Sequence, residues 1–215
     1  MLSLVLIVVA ATTAPEAAIG RVQHTYQRGD LCAAFEQTYV EKLRGKKRVE
    51  SGRLWAKRDG RVRWTYEKPV HKDFVYDGKK AWFYEPENGQ VTEFEKFEQS
   101  PLWGAVRFLW GQGNLNELFT VAPCADPKCR GSAAPGVEVF ELTPKKPMAA
   151  VDHVVLEVDP ATSQVRRSIV HDTLGNRTEY AFTDVAIGCQ VPDAKLTFEV
   201  PKGVSVVRAS GDPVR

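Results

Sequence analysis

Three dipeptides, Asp59-Gly60, Asp77-Gly78 and Asn88-Gly89, fall at short spacing between segments whose side chains alternate apolar and polar. Each suits the tight turn of a β-hairpin, because glycine enters the positive-φ region without steric cost. Three such turns in succession require a consecutive antiparallel meander, and a sheet that long must curl. The first hairpin, 51–69, reads SGRLWAKRDGRVRWTYEKP. At period two, Leu54, Ala56 and Arg58 share one face of its outgoing strand, and Arg53, Trp55 and Lys57 the other. On the return strand Val62, Trp64 and Tyr66 lie opposite Arg61, Arg63 and Thr65. One wall is apolar and aromatic and the other cationic, with Arg58 the exception on the apolar side. In the second hairpin, 71–76 and 80–85, Phe74 and Tyr76 alternate on one strand and Trp82 and Tyr84 on the other.

The rest of the chain fits around this meander. Ile19, Val22 and Tyr26 recur at helical spacing over 17–27, and Gly29 stops the helix. A strand over 32–43 places Phe35, Gln37 and Tyr39 on one face. After the strand 91–97 the rhythm breaks at 101–113, where Ser100 and Pro101 suit a helix N-terminus. Leu102, Trp103, Val106, Phe108, Leu109 and Trp110 surround most of that helix, so it is either a core helix or a lid over an apolar opening. A shorter helix over 114–119, an irregular loop over 123–135 and strands at 137–142, 151–158, 164–170, 178–182 and 196–200 complete the chain. The expectation is a mainly β (α+β) fold of about eleven strands and three helices, without an internal repeat. At 215 residues the sequence suits one domain, 15–215.

Leu2 to Ala11 is an apolar run too short to span a bilayer and placed where the core of a signal peptide belongs. The expectation is an export leader over 1–14, with small-residue cleavage sites after Ala11 and Ala14, although Pro15 argues against the second. The alternative is an apolar N-terminal helix docked on the core. No cysteine follows the run to accept a lipid. Four cysteines agree with export. Cys124 and Cys129 flank a turn-forming Ala-Asp-Pro-Lys that a short bridge closes easily. Cys32 and Cys189 then pair by elimination, one of three connectivities, with free thiols or a metal site as alternatives.

Lys and Arg number 29 against 27 Asp and Glu, a net charge of +2 that sets aside a strongly basic nucleic-acid binder. His24, His71, His153 and His171 are scattered and none has zinc-protease spacing. There is no G-x-S-x-G elbow, P-loop or dinucleotide fingerprint. Asp172 beside His171 reads as a solvated turn pair. Neither an enzyme nor a cofactor or metal protein is expected. What remains is apolar surface. The concave wall of a curled sheet leaves a space too wide for its own side chains, which suits an elongated apolar ligand. Leu54, Ala56, Val62, Trp64, Tyr66, Phe74, Tyr76, Trp82 and Tyr84 are its candidate wall, and Leu102, Val106 and Leu109 its candidate lid.

The pattern S-G-x-L-W-x-K-R-x-G-x-x-R-W-x-Y-x-x-P over 51–69 resembles the signature of the periplasmic outer-membrane lipoprotein carriers, the LolA family. Phe35-x-Gln37, Tyr76-Asp77-Gly78-Lys79-x-x-Trp82-x-Tyr84, Gln90-Val91 and a closing Phe198-x-Val200-Pro201-Lys202-Gly203-Val204 follow the family's order. The resemblance implies an incomplete, strongly curved antiparallel β-barrel whose open side helices cover. It also implies a soluble, monomeric periplasmic carrier of the acyl chains of lipoproteins, loaded by an inner-membrane ATP-driven transporter and unloaded by an outer-membrane acceptor. Arg58 matches the family arginine that latches the lid; the alternative is a surface arginine at a hairpin end. Asp59 stands where the family has proline and could pair with Arg58 or Arg61, and the loop 123–135 lies outside the family pattern. A related lipid-binding protein or acceptor of the same fold is the second possibility, and a secreted hydrolase a distant third.

Overall fold

The computed structural model describes residues 14–97, 113–131, 133–148 and 151–210. Helix α1, Pro15–Tyr26, opens the described chain. A first meander follows: β1 Leu31–Val40, β2 Lys47–Ala56, β3 Val62–Lys68, β4 Lys72–Tyr76, β5 Ala81–Glu85 and β6 Gln90–Glu95. Helix α2, Leu115–Leu118, leads into a second, β7 Phe119–Pro123, β8 Glu138–Pro144, β9 His153–Val158, β10 Val165–His171 and β11 Arg177–Ile187, with α3, Pro127–Arg130, between its first two strands. β12, Ser205–Ser210, comes last. All twelve strands form one open sheet in the order β12-β6-β5-β4-β3-β2-β1-β11-β10-β9-β8-β7. The two meanders meet where β1 pairs β11. β6 and β7 stand near opposite edges of the sheet.

The turns behave as their dipeptides require. Gly60, Gly78 and Gly89 have φ of 97°, 94° and 56°. The Asp77 carboxylate accepts the backbone N–H groups of Lys79 and Lys80 at 2.8 and 2.9 Å. Asp59 pairs with Arg61, at 2.7 Å. Gly52 answers a different need: a β-carbon there would lie 1.9 Å from the Thr65 carbonyl oxygen, so only glycine lets β3 come this close.

The fold is the expected mainly β one, an open sheet of twelve strands where about eleven were expected, with one parallel pair, β12 on β6. Three local expectations need correction. The expected strand 196–200 is absent. A 3-10 turn, Asp193–Leu196, stands there instead, and Pro201, which has no ladder donor, separates this stretch from β12. The helix expected over 114–119 gives way to strand at Phe119, and the loop 123–135 begins as the end of β7 and holds α3. The helix expected over 101–113, with Leu102, Val106 and Leu109, falls almost wholly outside the described residues.

The sheet has two unlike faces. Its inner face, with α1 laid across it, carries one continuous apolar cluster that includes Ile19, Val22, Leu54, Val62, Phe94, Phe140, Leu156 and Phe182. The outer face is charged between two small apolar plugs. One joins Val75, Trp82 and Val91 to Tyr84, Phe198 and Val204, and the other gathers Val139 and Val155 under the Cys124–Cys129 loop.

Candidate functional site

Alternation along β2 and β3 puts the expected wall together. Leu54 pairs with Trp64 and Ala56 with Val62 across the ladder, so all four point to the inner face, where each is nine-tenths buried or more. Tyr66, Phe74 and Tyr76 join them on the same face. Trp82 and Tyr84 do not. The connection after Asp77 sets Tyr76 against Ala81, so Trp82 stands opposite Val75 and Tyr84 opposite Asp73. Directly paired residues share a face, and this register turns Trp82 and Tyr84 outward. There both rings pack against Phe198, with centroids 5.7 Å away. The inner place expected for them belongs to Ala81 and Phe83.

Arg58 is also not where alternation puts it. β2 ends at Ala56, and Arg58 is exposed in the turn, its backbone N–H donating to Asp30 Oδ1 at 3.4 Å. Asp30 belongs to the junction between α1 and β1, which is tied down in three ways. Its carbonyl accepts the Gly188 N–H at 2.7 Å, a β-carbon on Gly29 would meet Gly188 Cα at 2.6 Å, and Cys32 is bonded to Cys189. Along the rest of α1, Gln23 Nε2 donates to the Gly113 carbonyl at 2.8 Å, Arg21 meets Glu138 at 3.4 Å, Asn116 Nδ2 donates to the Glu16 carbonyl at 3.2 Å and the Tyr26 hydroxyl accepts the Val165 N–H at 3.0 Å. The Gly29 end of the helix is thus fastened by a disulfide and by backbone packing, and the rest by side-chain contacts. Beneath the fastened end lies a hollow of about 10 Å³ between Tyr26, Leu31, Ala33, Leu54, Phe182 and Val185.

At the far end of the strands the same inner face turns polar. Tyr66 Oη donates to Gln37 Oε1 at 2.7 Å and shares a hydrogen bond with the Tyr180 hydroxyl. Glu50, paired with Gln37 across the ladder, is ion-paired with Lys72 and, at 3.2 Å, with Arg48. Burial is the main reason that the Tyr180 hydroxyl is pushed up to about 12 and that of Tyr66 well above its ordinary value, so both stay neutral donors. Only the alternation of Gln37 with Phe35 hinted at this strip in the sequence.

The outer face closes its charges on itself. Asp73 takes two hydrogen bonds from Arg63, at 2.7 and 3.1 Å, and one from the Thr65 hydroxyl at 2.5 Å. Burial pushes its carboxyl up, but the Arg63 and Thr65 bonds outweigh this and hold it below the ordinary value. Asp193 collects Lys57 and Arg61, and Lys195 lies 4.1 Å over the Trp55 ring. At the other end, His153 and His171, distant in sequence, stack at 4.2 Å on neighbouring strands. They line a polar recess of about 370 Å³ with Glu141, Arg167, Arg177 and Glu179. Arg167 is paired with Glu157 and Glu179, and Arg177 with Glu179. Asp172, as expected, organises a turn, accepting from Leu174 and Asn176. Cys124 and Cys129, beside Glu141, are bonded to each other and offer no thiolates to a metal.

Comparison with known proteins agrees with this geometry. The family model "Outer membrane lipoprotein carrier protein LolA" matches residues 29–199. An outer-membrane lipoprotein carrier protein of Chromobacterium violaceum is 32% identical over 85% of this chain and 82% of its own length. One of Nitrosospira multiformis is 29% identical over 81% of this chain and 80% of its own. Among solved structures, an uncharacterized conserved protein of Thermus thermophilus shares the fold with a TM-score of 0.57 at 13% identity, covering 90% of this chain and 98% of that one. The extent of the match shows that the chain belongs to the LolA family of outer membrane lipoprotein carrier proteins.

Proposed function

We propose that this chain is a periplasmic carrier that shields the acyl chains of lipoproteins against the inner face of its sheet on the way from the inner to the outer membrane. The observation that carries it is the continuous apolar layer on that face, covered by a helix whose Gly29 end is fastened by a disulfide and backbone packing and whose remainder rests on side-chain contacts. Among the described residues no helix is long and apolar enough to cross a membrane. Each buried methylene is worth about 0.8 kcal/mol, so a multiply acylated cargo is held in its membrane by tens of kcal/mol. A carrier without an energy source of its own needs an ATP-driven inner-membrane transporter to load it and an outer-membrane acceptor to take the cargo.

Ile19 and Val22 of α1 fill the inner face in the described state, so the chains enter as α1 swings from its Gly29–Gly188 end. Leu54, Ala56, Val62, Trp64, Tyr66, Phe74 and Tyr76 then form the wall. Arg58 remains the latch candidate, because its turn is bonded to Asp30 at this hinge. The protein is expected to act as a monomer and to bind rather than to transform its cargo. Adding the purified leaderless protein to spheroplasts that make a labelled lipoprotein tests this. Label moving into the supernatant in a one-to-one complex supports the proposal; label staying in the membrane, with an active loading transporter present, contradicts it.

A further inference from the structure

The indole Nε1–H of Trp64 is buried and has no hydrogen-bond partner among the described residues. The residue is 9% exposed and its ring lies on the inner face, among Phe35, Tyr180 and Phe182. An unmet buried donor is costly, and burying Trp is ordinarily accompanied by a partner for this N–H. Phe35 and Tyr180 meet the indole edge-to-face at 5.1 and 5.3 Å, but a ring face is a much weaker acceptor than an oxygen. A phenylalanine would carry no such donor, at the expense of the packing of the larger ring. Trp64 also stands at a boundary. Toward Tyr26 and Leu31 the inner face is wholly apolar, and toward the opposite strand ends it passes into the Tyr66–Tyr180–Gln37 row.

From this juxtaposition we infer that Trp64, with the Tyr66–Tyr180 pair beside it, is a carbonyl subsite that accepts the ester linkage of an acylated lipoprotein anchor. This deepens the carrier function and rests on it. Such an anchor has the same order of chemistry as the face: long apolar chains, then ester carbonyls that accept but do not donate, then a polar head. With the chains under α1 and the head toward Gln37 and Glu50, the carbonyls come to the middle, where the orphan donor stands.

The test compares two synthetic lipopeptides on a glyceryl-cysteine, one with two ester-linked palmitoyl chains and one with the same chains in ether linkage. The wild-type protein is expected to bind the ester form about fivefold more tightly, the worth of one net hydrogen bond. Trp64→Phe is expected to reduce that ratio to about one. The wild-type indole Hε1 resonance, identified by its loss in the variant, is expected to move downfield with the ester form and not with the ether form. A preference that survives in Trp64→Phe, or an unmoved resonance, overturns the inference while leaving the carrier function standing. Failure of the wild-type protein to bind either lipopeptide overturns both.

Discussion

The two faces of this sheet are built from the same strands and obey different rules. On the outer face charged groups, buried or exposed, are answered locally. Asp73 holds Arg63 and Thr65, Glu157 faces Arg167, and Asp193 gathers Lys57 and Arg61. Small plugs of the chain's own making, Phe198 on one side and the stapled loop on the other, cover its apolar spots. The inner face is continuous, is covered by a helix, and leaves the Trp64 donor without a partner among the described residues. A face that closes its own accounts serves stability, and one left open is where a ligand has something to gain.

The largest expected effect strikes the joint between the two faces. Cys32 and Cys189 are 157 residues apart in sequence, so opening their bridge with paired serines releases a long loop in the unfolded chain. It should cost about 5 kcal/mol in urea unfolding, against about 2 kcal/mol for the five-residue Cys124–Cys129 staple. Equal losses would mean that the α1–β1 junction is held by other contacts.

Asp73→Asn sharpens the contrast next. It should cost about 2 kcal/mol, because Arg63 loses its buried counter-charge, whereas Trp64→Phe on the inner face breaks no hydrogen bond and should cost only the packing of the larger ring, about 1 kcal/mol. The Asp73 carboxyl is held below its ordinary value of 3.8, so its contribution is complete above that value and disappears as pH falls through it toward the lower folded-state value. Unfolding followed from pH 5 to pH 2 should show a shallower decline in the variant, and parallel curves would contradict the assignment.

Arg58→Leu should leave stability within about 0.5 kcal/mol and slow cargo release to the acceptor about tenfold, if Arg58 latches the cover. Release at the wild-type rate would reduce it to a surface arginine. The smallest effect is expected for Glu67→Ala. The Arg53–Glu67 pair spans 3.8 Å with both side chains more than half exposed, and its loss should change unfolding by less than about 0.5 kcal/mol.

Much of the fold was legible because its signals are local. Asp59-Gly60 and Asp77-Gly78 mark hairpins that form where they stand, and alternation in 51–69 assigns Leu54, Ala56, Val62 and Trp64 to the buried wall. The misreadings all concern facts that no short window holds. Whether Trp82 faces in or out depends on one register step in the connection after Asp77. β12 pairs in parallel with β6, a partner more than a hundred residues earlier, so Phe198 to Val200, apolar enough for a strand, becomes a plug on the outer face instead. His153 and His171 meet only because β9 and β10 pair, and Tyr66, Tyr180 and Gln37 come from three strands. The orphaned state of the Trp64 donor is a property of its neighbours and leaves no trace in its own sequence context.

The most direct measurement of the central claim is photo-crosslinking with a lipopeptide that carries a photoreactive group on its acyl chain, followed by peptide mapping. Adducts concentrated on Leu54, Val62, Trp64 and Phe182, and absent from Trp82, Tyr84 and Phe198, are the expected result. Adducts on the outer plug residues, or none on the inner face of a protein that binds the probe, would contradict it.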